Sequence, residues 1–123
     1  MILTFDFSSH VPLYMQLRNQ IVIAIAQGKL NPGEKLPTIR ALAEESGINM
    51  MTVSKAYQML KQEGYIVTDR RHGATVASGK SVSVSEETMK ELKLCISELR
   101  LSGMKKEDIL SLCETLYDQG DNV

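Results

Sequence analysis

The sequence has no tryptophan, two histidines, two cysteines and three prolines in 123 residues, and only 5% of it is aromatic. Each scarcity excludes something. His10 and His72 stand far apart in an arm and a loop, with no nucleophile, phosphate loop or ligand cluster beside them. That argues against an enzyme, a metal site or a cofactor. Cys95 and Cys113 match no zinc or redox spacing and sit among apolar residues. They are expected to be buried thiols in a reducing compartment, with a disulfide or redox switch as the alternative. No run of ~18 apolar residues occurs. The first ten residues, MILTFDFSSH, lack the basic and apolar regions of a signal peptide. A soluble, cytoplasmic protein without a membrane partner is therefore expected.

A strong charge of one sign is missing too, since the net charge is −1. The distribution is uneven, however. Residues 1–78 carry 8 Lys/Arg against 6 Asp/Glu, whereas residues 79–123 carry 6 against 9. The cationic surface thus belongs to the first part and the acidic one to the tail. With 43% hydrophobic residues, the chain can bury one core plus an appendage.

What is present centres on 36–64, LPTIRALAEESGINMMTVSKAYQMLKQEG. Thr38 can cap a helix whose apolar residues Ile39, Leu42 and Ala43 share one face, and Ser46 with Gly47 stops it. Asn49 suits the N-cap of a second helix, in which Val53, Ala56, Tyr57 and Leu60 recur at i, i+3, i+4 and i+7. This is a helix-turn-helix pattern. Opposite the buried stripe of the second helix lie Met51, Lys55, Gln58 and Gln62, flanked by Thr52 and Ser54. Apart from Met51 and the Thr52 methyl, that face offers hydrogen-bond donors.

The flanking segments decide what the pair belongs to. Residues 1–11 read as an extended arm with Leu3, Phe5 and Phe7 alternating. A helix starting at Pro12 carries Leu13, Leu17, Ile21 and Ile25, is apolar nearly all round from Ile21 to Ala26, and ends at Gly28. It is expected to be the best-buried helix. A turn-rich connector follows, with Leu30 and Leu36 as anchors and a turn at Pro32-Gly33. After Gly64 a β-hairpin is predicted: Tyr65–Thr68, a polar loop from Asp69 to Gly73, and a return strand from Ala74 to Ala77. Helix, helix-turn-helix and hairpin make the order of a winged helix, and the hairpin tip supplies Arg70, Arg71 and His72.

Residues 78–85, SGKSVSVS, read as a flexible link. Two further amphipathic helices follow, one capped by Ser85 with Met89, Leu92, Ile96 and Leu99, the other over 105–119 with Ile109, Leu112 and Leu116. Two helices alone make a poor core, so the pair is expected to dimerise with its copy in a second subunit; folding back on the first domain is the alternative. The expected fold class is mainly α (α+β). A winged helix-turn-helix domain over 1–78 precedes a helical dimerisation region over 79–123.

PLYMQL at 12–17, Gly28 with Leu30, PGEKLPTIRALA at 32–43, Gly47-Ile48-Asn49, Thr52-Val53, Ala56-Tyr57, Leu60 and Gly64-Tyr65-Ile66 together resemble the GntR family of bacterial transcription regulators. The short C-terminal helix pair resembles the YtrA subfamily. The resemblance implies a homodimeric repressor on an inverted-repeat DNA site, often near transporter operons, with DNA contacts from Arg40, Asn49, Thr52 and the wing. Thr38 departs from the family's usual Ser, Met50-Met51 from Pro-Asn and Ser54 from Arg. Arg71-His72-Gly73 departs from Gly-x-Gly.

The residues themselves suggest roles. Asn49 and Thr52, at a helix N-terminus, suit phosphate positioning. Lys55 and Gln58 suit base edges, and Arg40 a phosphate or a guanine, unless it pairs with Glu44 at i+4. Arg70, Arg71, His72 and Gly73 form a wing that can follow the backbone or enter the minor groove, or an ordinary charged loop. Met51 suits thymine methyls, or packs on its own helix. The rival readings are a winged helix that binds only protein, and a regulator sensing a metal or small-molecule effector of unknown identity.

Overall fold

A computed structural model describes residues 2–78 and 83–119. Residues 79–82 of the link expected over 78–85 lie outside the described residues. The helices are α1 (Leu13–Ala26), α2 (Ile39–Ser46), α3 (Met50–Gln62), α4 (Glu86–Leu101) and α5 (Lys106–Gln119); the strands are β1 (Ile66–Asp69) and β2 (Gly73–Val76). They form two compact units, Met1–Val82 and Ser83–Val123.

In the first unit, the apolar periodicity closes one core. Leu17 and Ile21 of α1, Val53 and Leu60 of α3, Ile66 of β1 and Val76 of β2 are fully buried. Each such side chain contributes about 1.5–3 kcal/mol on leaving water. Leu30 and Leu36 anchor the connector in the same core. α3 buries Val53, Ala56, Tyr57 and Leu60, and α1 buries Leu17, Ile21 and Ala24. Along α1 only Ile23 and Ala26 are exposed, whereas six residues of α3 are, so α1 is the better covered of the two, as its nearly all-round apolar character predicts. Its outer side still reaches water at Ile23, which is 47% exposed.

The arm is held differently from what its alternation predicts. Gln20 accepts from the Thr4 backbone N–H at 2.9 Å and donates to the Thr4 carbonyl at 2.7 Å. Gln16 does the same for Asp6, both at 2.9 Å. Two amides one helical turn apart thereby replace a neighbouring strand. Leu3 and Phe5 pack on the core, but the chain turns beyond Asp6 and leaves Phe7 72% exposed.

β1 and β2 pair antiparallel with Ile66 opposite Val76 and Asp69 opposite Gly73, so the predicted loop shortens to Arg70-Arg71-His72. The connector extends this ribbon. Gly33 N–H donates to the Val76 carbonyl at 2.9 Å, Val76 N–H to Glu34 at 2.9 Å, and Leu36 N–H to Ala74 at 2.8 Å. A third, strand-like edge therefore precedes α2.

In the second unit, Ser85 caps α4 by accepting from Thr88 N–H at 3.1 Å. Ile109 is 6% exposed, whereas Met89, Leu92 and Leu116 are exposed and Ile96, Leu99 and Leu112 are half-buried. The two thiols expected to be buried are free and exposed instead, because α4 and α5 cover only part of their apolar stripes. No helix among the described residues is long and apolar enough to cross a membrane.

Candidate nucleic-acid interface

Two local devices set the helix pair. Thr38 Oγ1 accepts from Ala41 N–H at 3.1 Å and starts α2; Asn49 Oδ1 accepts from Met51 N–H at 2.7 Å and starts α3. Between them Gly47 adopts φ +69°, a left-handed backbone that stops α2 within one residue. α2 is also tied to α3, since the buried Tyr57 hydroxyl donates to the Pro37 carbonyl at 2.7 Å. Burial disfavours the phenolate and pushes the Tyr57 pKa up to about 12. At its far end α3 is fixed to α1 by a two-pronged ion pair. Arg18 Nε lies 2.9 Å and Nη2 2.7 Å from the two Glu63 carboxylate oxygens, and the guanidinium stands 5.6 Å from the Tyr65 ring centre.

With Val53, Ala56, Tyr57 and Leu60 facing inward, α3 turns Met51, Lys55 and Gln58 outward, with Thr52 and Ser54 half-covered at the margins. Met51 is 79% exposed, so it packs little against its own helix. The ridge separates two depressions. One, of about 540 Å³, lies between α2, α3 and the hairpin; Arg40, Ser54, Gln58 and Lys61 line it together with Lys35 and Thr68. The other, of about 450 Å³, is lined by Tyr14, Met51, Thr52, Ser54, Lys55 and Gln58. Arg40, Ser54, Lys55, Gln58 and Met51 thus share one continuous surface. Asn49 stands at its start, with its side-chain oxygen already committed to the cap. No hydrogen bond or ion pair joins Arg40 to Glu44 among the described residues, so the i+4 alternative is not formed.

The wing is built without the first of the two glycines usual at its tip. Asp69 Oδ1 accepts from the backbone N–H groups of Arg71, at 2.8 Å, and of His72, while Oδ2 lies 3.1 Å from His72 Nδ1. This aspartate-led turn replaces the conformational freedom of the missing glycine. Only Gly73, at φ +68°, takes the left-handed backbone, and Arg71 does not need it. The His72 backbone donor contributes most to holding the Asp69 carboxyl below the usual carboxylate range; desolvation opposes it, and the His72 ring and the Arg71 N–H add to the lowering. Arg70, Arg71 and His72 are all exposed at the tip.

Three residues of this surface escape sequence reasoning. Lys61 continues the Ser54–Gln58 row at helical spacing, a signal the sequence did contain. Lys35 reaches the groove because its segment joins the hairpin ladder, and Tyr14 because α1 lies along α3. Neither relation has a local sequence mark. Met89, Leu92, Ile96, Leu99, Leu112 and Leu116 belong to the second unit. No group of three or more His, Cys, Asp or Glu placed to hold a metal ion occurs among the described residues.

A polar ridge on a capped helix, beside a basic hairpin and with cations on both rims, suits a duplex with its regularly spaced phosphates. Comparison with known proteins leads the same way. The chain is 33% identical over 108 residues to the transcriptional repressor YtrA of Bacillus subtilis (strain 168), covering 85% of this chain and 83% of that protein. The crystal structure of a transcriptional antiterminator from Listeria monocytogenes EGD-e superimposes with a TM-score of 0.85 at 32% identity, covering 100% of this chain and 97% of that one. The DNA-binding domain of AraR, crystallised in complex with operator ORX1, matches with a TM-score of 0.56 at 29% identity over 63% of this chain and 96% of that one. The sequence profile of the bacterial regulatory proteins of the gntR family matches residues 13–76. The chain therefore belongs to the gntR family and is a DNA-binding transcriptional regulator with a winged helix-turn-helix fold, similar to YtrA.

Proposed function

We propose that this regulator is a sequence-specific, cytoplasmic repressor that binds an inverted-repeat operator as a homodimer and controls a transporter operon. The observation that carries DNA reading is the exposed ridge of α3 beside the wing. Asn49 and Thr52 position the helix on a phosphate. Lys55 and Gln58 reach base edges, with Ser54 at the margin, and Met51 packs on a thymine methyl. Arg40 takes a guanine or a phosphate, and Arg70, Arg71, His72 and Gly73 follow the neighbouring backbone. YtrA of Bacillus subtilis is a repressor by name, which favours repression here.

The division of labour places DNA binding in residues 1–78 and dimerisation in residues 79–123. Met89, Leu92 and Leu116 are exposed beside the half-buried Ile96, Leu99 and Leu112, an apolar surface that a second copy would cover. A two-fold dimer would present two α3 helices to two half-sites.

The test is selection of bound fragments from the genome of the source organism, followed by sedimentation of wild type, Leu92→Asp and Leu116→Asp. Recovered fragments should share an inverted repeat upstream of transporter genes, and both variants should sediment as monomers with much weaker operator binding. Dimers that persist in both variants at micromolar concentration would refute the interface, and fragments without a common sequence would refute specific reading.

A further inference from the structure

The ammonium of Lys55, on the outward side of α3, stands 4.0 Å from the ring centre of Tyr14 on α1. Within about 6 Å of an aromatic face, a cation is attracted by the ring's quadrupole. Tyr14 is half-buried and belongs to a helix outside the helix-turn-helix pair. The frame beneath this contact is fixed independently. One turn further along α1, Arg18 grips Glu63 through both carboxylate oxygens at 2.9 and 2.7 Å. Tyr14 also lines the same surface depression as Met51, Thr52 and Gln58, so the pair sits inside the reading surface.

We propose that Tyr14 is a specificity-determining positioning residue that holds the Lys55 ammonium where it meets the O6 and N7 acceptors of one guanine in each half-site. The inference rests on the DNA-reading role of Lys55 proposed above. A lysine head on four rotatable bonds otherwise finds phosphates as readily as bases, and phosphate contacts carry no sequence information. The ring favours one position of the ammonium while leaving its N–H groups on the open side to donate. The aromatic ring performs this role; the phenol hydroxyl does not.

The experiment selects duplexes from a randomised library with wild type, Lys55→Ala, Tyr14→Leu, Tyr14→Phe and the double variant Tyr14→Leu/Lys55→Ala. Affinities are then measured for the best duplex, the same duplex with the guanine pair replaced, and an unrelated duplex. Wild type and Tyr14→Phe should discriminate at that guanine by about tenfold or more. Lys55→Ala and Tyr14→Leu should each lose the discrimination at the same position, and the double variant should lose no more than either alone. Binding of Tyr14→Leu to the unrelated duplex should not fall, because the released ammonium can still meet a phosphate.

If Lys55→Ala keeps the base preference, the reading role of Lys55 fails and this inference with it. If Lys55→Ala loses the preference while Tyr14→Leu keeps it, only the role of Tyr14 is overturned. Equal weakening of all duplexes by Tyr14→Leu, or loss of discrimination in Tyr14→Phe, overturns it as well. Should Tyr14→Leu not fold, proton resonances of wild type decide. The Lys55 ε-methylene protons should be displaced upfield by the ring current, and unshifted resonances overturn the proposal.

Discussion

Replacing Tyr57 by Phe removes one oxygen from the joint between the two helices of the DNA-binding motif. The ring stays buried, so little apolar burial is lost. What disappears is the 2.7 Å hydrogen bond to the Pro37 carbonyl, just before the Thr38 cap of α2. A neutral hydrogen bond contributes about 0.5–1.5 kcal/mol net, and a partner left dry costs about 1–3 kcal/mol. Pro37 is only half-buried, which lets water take up part of the loss. The expected destabilisation is therefore about 1–2 kcal/mol at pH 7, read from urea unfolding with an unchanged slope.

The pH dependence gives the test its edge. With a folded pKa of about 12 against 10.0 unfolded, the Tyr57 contribution is fully present below pH 10 and is lost as pH rises toward 12. One pH unit within this window removes about 1.4 kcal/mol. The gap between wild type and Tyr57→Phe should hence narrow above pH 10 and close near pH 11, while other groups cancel in the comparison. Equal stabilities at pH 7, or a gap that stays constant from pH 7 to 11, would refute the account of this hydroxyl.

Arg40→Ala should weaken operator binding by about 1–3 kcal/mol if Arg40 pairs with guanine, measured by titration of the selected duplex; a uniform loss across sequences would assign it to phosphate instead. Asp69→Ala should speed hydrogen exchange at the Arg71 and His72 amides. In the wild-type chain the same amides should stay protected above the ordinary aspartate range and lose protection as pH falls below the depressed Asp69 pKa. Replacing operator thymines one at a time by uracil should weaken binding at the positions under Met51, and affinity unchanged at every position would remove its apolar contact.

Much of the fold was legible because its punctuation is local. Thr38, Asn49 and Ser85 cap helices in the structure through their own side chains, and the period of Val53, Ala56, Tyr57 and Leu60 fixes which side of α3 faces inward. The wing was legible as a hairpin but not as a turn, because Asp69 performs through side-chain hydrogen bonds what a glycine performs through backbone freedom. Relations between distant segments carried no such mark. An alternating pattern placed Phe7 beside Leu3 and Phe5, yet Gln16 and Gln20 hold the arm only as far as Asp6. Lys35 and Tyr14 joined the candidate surface through pairing and helix packing that no single segment encodes.

The ladder between the connector and β2 has a further meaning. Residues 33–36 lead into the helix that carries Arg40, and they are stitched to the strand that returns from the wing tip. Hairpin and helix pair therefore form one jaw with a preset gape. Little conformational entropy remains to be lost when a duplex enters, and a duplex of the wrong groove width cannot be accommodated by swinging the wing alone. Such a frame would favour duplexes whose groove shape already matches it, a selection separate from contacts to base edges.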